Sequence, residues 1–266
     1  MNLKSIGAFL LAGIVLGFGI FSSGNVDIFV NQHAILIVVG GTVAASAISF
    51  QIDRIFVLFK VFFKRVIQGR KLDYVKLIQE LMVIGEAYRK KSPGLEKMIN
   101  DNSDHFLKEA FLLLQEELLE EDVLIRILRT RVSTNFQRQM EEMNKFRTVG
   151  KYPPAFGLMG TTLSMISLLQ KLGQPGGQKL IGPSMAVGLV ATFFGLALSN
   201  LVFNPVSENL QDSAKENRLK NLIIVEGIQL ILQGTSPIIL AEELNSFLIP
   251  SERIDWKKID GLGKAA

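Results

Sequence analysis

The chain has 266 residues, a formal net charge of +4 and a mean hydropathy of +0.31, which is unusually apolar for a wholly water-soluble protein. It has no cysteine, which excludes disulfide and thiolate chemistry, and its two histidines, His33 and His105, lie far apart and argue against a metal site. Lysines and arginines alternate with acidic residues, so membrane topology explains the mild basicity better than nucleic-acid binding.

Four stretches have no charged side chain and are long enough to cross a bilayer. They are residues 5–26, 34–52, 152–170 and 180–207. The first follows Lys4 and resembles a signal peptide, but no small-residue cleavage site follows Phe21, so we interpret it as a retained helix. The pattern predicts four transmembrane helices.

The distribution of basic residues predicts the orientation of these spans. The connection at residues 23–33 has no lysine or arginine, whereas basic residues follow the second span, precede the third and follow the fourth. The positive-inside rule therefore puts both termini in the cytoplasm. We expect an all-α membrane protein with two transmembrane hairpins, at residues 1–52 and 152–207. A helical cytoplasmic domain, residues 53–151, lies between the hairpins, and a helical cytoplasmic tail, residues 208–266, follows the second.

The cytoplasmic segments also show helical patterns and no strand-like alternation. Apolar residues recur at helical spacing over residues 72–91, and residues 106–119, 123–131 and 136–147 are predicted helices. Residues 54–68 mix phenylalanines with basic residues and fit either an interfacial helix or a continuation of the second span. In the tail, residues 206–233 predict one long helix ended by Gly234, and Ser236 with Pro237 opens another that runs to residue 248.

The four spans contain no Asp, Glu, Lys, Arg or His, although ion relays within membranes normally use such a side chain. A partner must therefore supply the carboxylate if this chain handles ions. The spans do carry many glycine, alanine, serine and threonine residues, which serve helix packing and also offer hydroxyl ligands. Pro154 opens the third span, and Pro205 predicts a kink that is either a hinge or a static bend.

Several motifs resemble the MotA/TolQ/ExbB proton-channel family, and in particular its flagellar stator A subunits of MotA/PomA type. Residues 153–210 carry the family's PAFG opening, its GT pair, the IGP-x-MA start of the fourth span and the asparagine–proline near its end. Residues 35–46, ILIVVGGTVAAS, resemble the second span, and residues 224–253 resemble the tail. The resemblance therefore extends over nearly the whole chain.

The resemblance implies a homopentamer in the bacterial inner membrane that surrounds a dimer of a B subunit with one transmembrane helix. An aspartate of that helix binds the translocated ion, Na⁺ or H⁺, and the family uses no other cofactor. Thr161 and Thr192 correspond to wall residues that face this aspartate, and Pro154 and Pro205 correspond to the prolines that couple ion binding to movement. Hydroxyls at both threonine positions favour sodium, a hard cation that prefers oxygen ligands.

The family also implies contact between charged residues and the rotor switch protein. Arg89 and Glu96 match the family pattern in type and spacing, Lys90 and Lys91 either contribute or are solvated, and Ser92 with Pro93 replaces apolar residues. Alternative interpretations are an ion-driven energiser of TolQ/ExbB type, a stator of another motility machine, an inactive copy and a non-conducting membrane scaffold. An enzyme is disfavoured because the sequence shows no nucleophile–base constellation, no metal-ligand spacing and no phosphate-binding loop.

Overall fold

The computed structural model describes residues 3–22, 24, 26–50, 72–101, 104–115 and 120–255, and within these ranges it is helical with no strand. The chain divides into two compact units. The first unit comprises Met1–Lys71 and Met140–Gln211, and the second comprises Leu72–Gln139 and Asp212–Ala266. The expected helix or extension at residues 54–68 lies outside the described residues.

The first unit begins with α1 (Leu3–Ser22) and continues with α2 (Gln32–Ile35), a π-helical turn at Leu36–Gly40 and α3 (Gly41–Ser49). The next three helices belong to the second unit: α4 (Tyr74–Arg89), α5 (Leu95–Asp101) and α6 (His105–Gln115). Helix α7 (Glu121–Val149) contributes residues to both units. It is a single helix where the sequence had predicted two shorter ones, at residues 123–131 and 136–147.

The first unit then adds α8 (Tyr152–Leu172), a 3₁₀ turn at Gly177–Leu180 and α9 (Ile181–Leu198). A second π-helical turn at Ser199–Phe203 leads into α10 (Asn204–Leu232), and α11 (Pro237–Asn245) and a 3₁₀ turn at Pro250–Glu252 complete the described fold. Among the described residues, the segments Val26–Ser49 and Gly177–Leu232 contain stretches long and apolar enough to cross a membrane, and Gly13–Ser22 is a shorter apolar helix.

Polar caps explain several helix boundaries. The side chain of Asp73 accepts a hydrogen bond from the backbone N–H of Lys76 at the start of α4, and the Ser236 hydroxyl does the same for Ile239 at the start of α11, as predicted. Gly234 has φ +67°, a conformation that glycine adopts at little cost, and α10 ends two residues earlier.

The second unit encloses an apolar core between α4, α6, α7, α10 and α11. Glycines let two of these helices approach closely: a Cβ at Gly227 would lie 2.9 Å from a methyl of Leu81, and a Cβ at Gly85 would lie 3.0 Å from Ile231. The core residues with almost no exposed surface include Ile78, Leu81, Phe111, Leu128, Ile224, Ile228 and Leu240. Burial of such side chains stabilises the unit by about 1.5–3 kcal/mol each.

Candidate functional site

Helices α8 and α9 of the first unit pack against each other in antiparallel orientation, with glycines at the contact. A Cβ at Gly157 would lie 2.9 Å from the carbonyl oxygen of Ala191, and a Cβ at Gly188 would lie 3.1 Å from the Cα of Thr161. At Gly195 a Cβ would overlap the carbonyl oxygen of Pro153. The two backbones therefore touch along this seam, the arrangement that small residues permit between apolar helices.

The hydroxyls of Thr161 and Thr192 meet in the middle of this seam. Their Oγ1 atoms are 2.6 Å apart. The Thr161 hydroxyl also lies 2.8 Å from the carbonyl oxygen of Gly188 and 3.2 Å from that of Gly157, and the Thr192 hydroxyl lies 3.3 Å from the carbonyl oxygen of Gly157. The structure thus brings together two residues that the sequence had singled out separately.

This hydroxyl cluster has more acceptors than hydrogens. Two hydroxyl oxygens and two backbone carbonyl oxygens share only two O–H hydrogens, because each threonine supplies one. Lone pairs therefore remain for an outside donor or a cation. Such a cluster can accept a hydrogen bond from a protonated carboxyl group or act as oxygen ligands for a hard cation such as sodium.

The neighbouring hydroxyls are arranged differently. Thr42 and Ser46 donate to carbonyl oxygens of their own helical segment, at Val38 and Thr42, both at 2.6 Å. Thr162 is exposed and donates to the carbonyl oxygen of Met159 at 2.8 Å. Ser164 donates across the seam to the carbonyl oxygen of Ser184 at 2.7 Å. Thr161 differs from these in pairing its hydroxyl with a second hydroxyl.

The two prolines lie near the ends of the seam helices. Helix α8 begins at Tyr152, so Pro154 lies in its first turn, where the missing N–H costs no helical hydrogen bond. Pro205 follows the π-helical turn Ser199–Phe203 and lies at the second position of α10. A proline removes one backbone donor and its ring crowds the preceding turn, and a widened turn accommodates both effects.

The charged residues assigned to rotor contact lie at the end of α4 and the start of α5. Lys90 Nζ is 2.8 Å and Arg89 Nη2 is 3.6 Å from Glu86 Oε1, and Glu96 is exposed in the first turn of α5. The hydrogen bond from Lys90 holds the pKa of Glu86 below its usual value. The sequence motif does not point to Glu86, although its spacing of three and four residues from Arg89 and Lys90 is typical of ion pairs on a helix.

A family model described as the MotA/TolQ/ExbB proton channel family matches residues 98–221 of the chain. The chemotaxis protein PomA of Vibrio alginolyticus is 29% identical over 247 residues, which cover 92% of this chain and 92% of that protein. Motility protein A of Borreliella burgdorferi is 29% identical over 268 residues, which cover 95% and 96% of the two chains. These similarities extend well beyond the segment matched by the family model.

The fold is also similar to solved structures. A chain in the structure of C. jejuni MotAB superposes with a TM-score of 0.84 at 22% identity and covers 96% of this chain and 100% of that one. A chain in the flagellar MotAB stator complex from Bacillus subtilis gives a TM-score of 0.84 at 23% identity, with coverages of 95% and 99%. At 22% and 23% identity, these superpositions establish similarity of fold alone.

The described residues combine two apolar helical segments long enough to cross a membrane, a glycine-lined helix seam and an acceptor-rich threonine pair. The family match and the relatives point to a more specific group. The chain is similar to the MotA/TolQ/ExbB proton channel family over residues 98–221, and to the A subunits PomA and motility protein A over nearly its whole length.

Proposed function

We propose that this chain is the torque-generating A subunit of a bacterial flagellar stator, which couples cation flow to rotation of the rotor. The observation that carries the proposal is the contact between the Thr161 and Thr192 hydroxyls at the α8–α9 seam. This cluster offers oxygen acceptors without a charge of its own, as expected for a subunit that lines an ion pathway while a partner supplies the carboxylate.

The topology in this proposal is the one predicted from the sequence. Four transmembrane helices form two hairpins in the inner membrane, with both termini in the cytoplasm. The antiparallel α8–α9 pair and the apolar segments Val26–Ser49 and Gly177–Leu232 support this layout. Under this topology the second unit, rich in charged residues at its surface, faces the cytoplasm.

The partner in this proposal is a B subunit whose single transmembrane helix carries an aspartate. Five copies of this chain surround two copies of the partner, and the Thr161–Thr192 pair of each copy faces the aspartate in turn. A protonated aspartate would donate a hydrogen bond to the cluster, and an ionised one would share a sodium ion with it. We expect sodium, because two hydroxyls and two carbonyls supply several ligands for a hard cation.

Pro154 and Pro205 act in this proposal as coupling residues. Pro154 lies half-buried in the first turn of α8, where the neighbouring Pro153 packs closely on Gly195 of α9. Pro205 prevents the helix that follows α9 from closing its regular hydrogen-bond ladder. A change in ion occupancy at the threonine pair would act between a proline in the first turn of α8 and the irregular turn that precedes Pro205.

Torque is delivered in this proposal through Arg89, Lys90 and Glu96, which contact a rotor switch protein. All three side chains are exposed, and the pairing of Arg89 and Lys90 with Glu86 holds both cations at the end of α4. Exposed ion pairs of this kind add little to the stability of the fold. Surface charges of both signs in fixed positions are instead suited to recognising a charged helix of a partner.

The test is the swimming speed of a stator-deleted cell that expresses this chain with its natural partner, measured over a range of sodium concentrations at fixed pH. Speed that rises with sodium supports a sodium-driven stator. A speed that does not change with sodium concentration and is lost when a protonophore is added supports a proton-driven stator and overturns the ion assignment. A membrane complex that forms without restoring swimming would contradict the proposal and favour an energiser of another envelope machine or a scaffold.

A further inference from the structure

The second unit contains a polar cavity of about 310 Å³ between the start of α6, the middle of α7 and the middle of α10. Each helix contributes a pair of polar residues four positions apart, which places both on one face. On α7 the pair is Asn135 and Gln139, and on α10 it is Asn217 and Asn221. The remaining lining residues are Asp104, His105, Phe106, Glu109 and Lys220.

Two of the residues that line this cavity have a buried side-chain amide oxygen without a hydrogen-bond partner. Asn221 is 5% exposed, and its Oδ1 is buried and unpaired. Gln139 donates from Nε2 to Asn135 Oδ1 at 3.1 Å, but its Oε1 is also buried and unpaired. A buried amide oxygen without a donor costs about 1–3 kcal/mol, so each is a position where an outside N–H group is favoured.

The charged groups on the wall are already paired. Asp104 accepts from the backbone N–H groups of Phe106 and Leu107 at 3.0 and 3.1 Å, and its other oxygen lies 2.5 Å from Lys220 Nζ. Glu109 Oε1 lies 2.5 Å from Arg131 Nη1. The Lys220 ammonium is therefore engaged by a carboxylate, while both unpaired wall atoms are acceptors. An anionic ligand would be repelled by these two unpaired oxygens, because each carries a partial negative charge.

We propose that this cavity binds a guanidinium group, with Asn221 Oδ1 and Gln139 Oε1 as its acceptors. A guanidinium has five N–H donors in one plane, so it can satisfy acceptors on two different walls at once. Phe106 adds a partly buried aromatic side chain on which such a plane can stack. The cavity volume of about 310 Å³ far exceeds the roughly 10–15 Å³ that a cavity needs to hold one water molecule, so the site admits a group of this size.

A guanidinium can come from an arginine side chain of another protein or from a small soluble molecule. Two probes separate these sources: agmatine, and a capped Gly-Arg-Gly peptide. Calorimetric titration of the full-length chain in detergent measures both, and we expect a dissociation constant on the order of 1 mM for a ligand of this size. Tighter binding of the peptide assigns the site to a protein side chain, and tighter binding of agmatine assigns it to a small molecule.

Two variants test the acceptors. Asn221→Leu is nearly isosteric and removes a buried unpaired amide, so it should keep or raise the unfolding temperature while weakening binding at least tenfold. Gln139→Glu replaces an unpaired amide oxygen with a carboxylate and should tighten binding at least tenfold. Asn209→Leu is the matched control, because Asn209 is exposed on α10 and does not line the cavity.

Four outcomes would overturn the assignment: no heat with either guanidinium probe, undiminished binding to Asn221→Leu, equal binding of butylammonium, or preferential binding of inorganic phosphate. Because the readout is binding to the chain alone, its failure leaves the proposal of stator function untouched, and a failure of swimming leaves this site untouched.

Discussion

Thr161 Oγ1 and Thr192 Oγ1 lie 2.6 Å apart, although 31 residues separate them in the chain. Both hydroxyls also share the carbonyl oxygen of Gly157, so one point on the α8–α9 seam gathers four oxygens from two helices. In the proposed mechanism this cluster is the part of the chain that meets the ion.

We expect Thr161→Ala to impair sodium-driven swimming. Loss of one ligand worth about 1 kcal/mol should raise the sodium concentration for half-maximal speed roughly fivefold. Thr161→Ser keeps the hydroxyl and should behave like the parent. Thr162→Ala is the control, because that hydroxyl is exposed and donates to its own helix. Unchanged speed of Thr161→Ala at every sodium concentration would contradict the role given to this residue.

The close approach of α8 and α9 predicts a sharp difference between two glycines of α9. An alanine Cβ at Gly188 would lie 3.1 Å from the Cα of Thr161 and 3.2 Å from the Cβ of Ser164, so Gly188→Ala should destabilise the chain by about 1–3 kcal/mol. Gly182 has open space around it, so Gly182→Ala should be neutral or slightly stabilising. Thermal unfolding in detergent compares the two; equal unfolding temperatures would contradict the seam geometry.

Pro205 allows stability and function to be separated. Pro205→Ala restores a backbone N–H after the π-helical turn Ser199–Phe203, so the purified chain should unfold at the same or a higher temperature. If the irregular turn couples ion binding to movement, the same variant should swim poorly. A variant that swims normally would assign Pro205 to a static bend.

The charges at the end of α4 give a third functional prediction. Lys90→Glu replaces the Lys90–Glu86 ion pair with two like charges, so it should raise the pKa of Glu86 and slow swimming. Lys76→Glu reverses a charge near the other end of the same helix and should have little effect on speed. The measurements are the Glu86 carboxyl titration by NMR and the swimming speed; equal slowing by both variants would point to a general charge effect.

Tyr74 predicts a loss of stability at high pH. Burial, aided by the charges of Glu216 and Glu252, raises the pKa of Tyr74 to about 12, and its hydroxyl donates to the carbonyl oxygen of Glu216 at 3.3 Å. A raised pKa favours the protonated form in the folded state, so this stability is present below about pH 10, the usual value, and is lost as the pH rises towards 12.

Tyr74→Phe should remove this pH dependence, so its unfolding temperature should fall less between about pH 10 and 12 than that of the parent. The chain has three tyrosines, and absorbance at 295 nm should show one of them ionising later than the others in the parent. If the latest ionisation step survives in Tyr74→Phe, another tyrosine is responsible.

The chain's local patterns were enough to predict most helix positions. Charge-free runs, the Ser236–Pro237 start and the Gly234 end all depend on interactions within a few residues, and the helices α8, α9 and α11 begin close to where these signals lie. The sequence divided α7 in two because the polar residues Ser133, Thr134 and Asn135 interrupt the apolar pattern between residues 131 and 136. The helix continues there, since neighbouring parts of α7 pack against other helices.

The sequence by itself therefore determined the helical class, the apolar spans, the family motifs and the candidate residues. Only the tertiary structure decided which hydroxyls meet, because the contact of Thr161 with Thr192 depends on the antiparallel register of two helices and on the glycines that let their backbones touch. It alone also showed that Asn221 and Gln139 line one cavity and that one amide oxygen of each has no hydrogen-bond partner. Spacing along a chain specifies neighbours on one helix, whereas proximity between helices arises from packing.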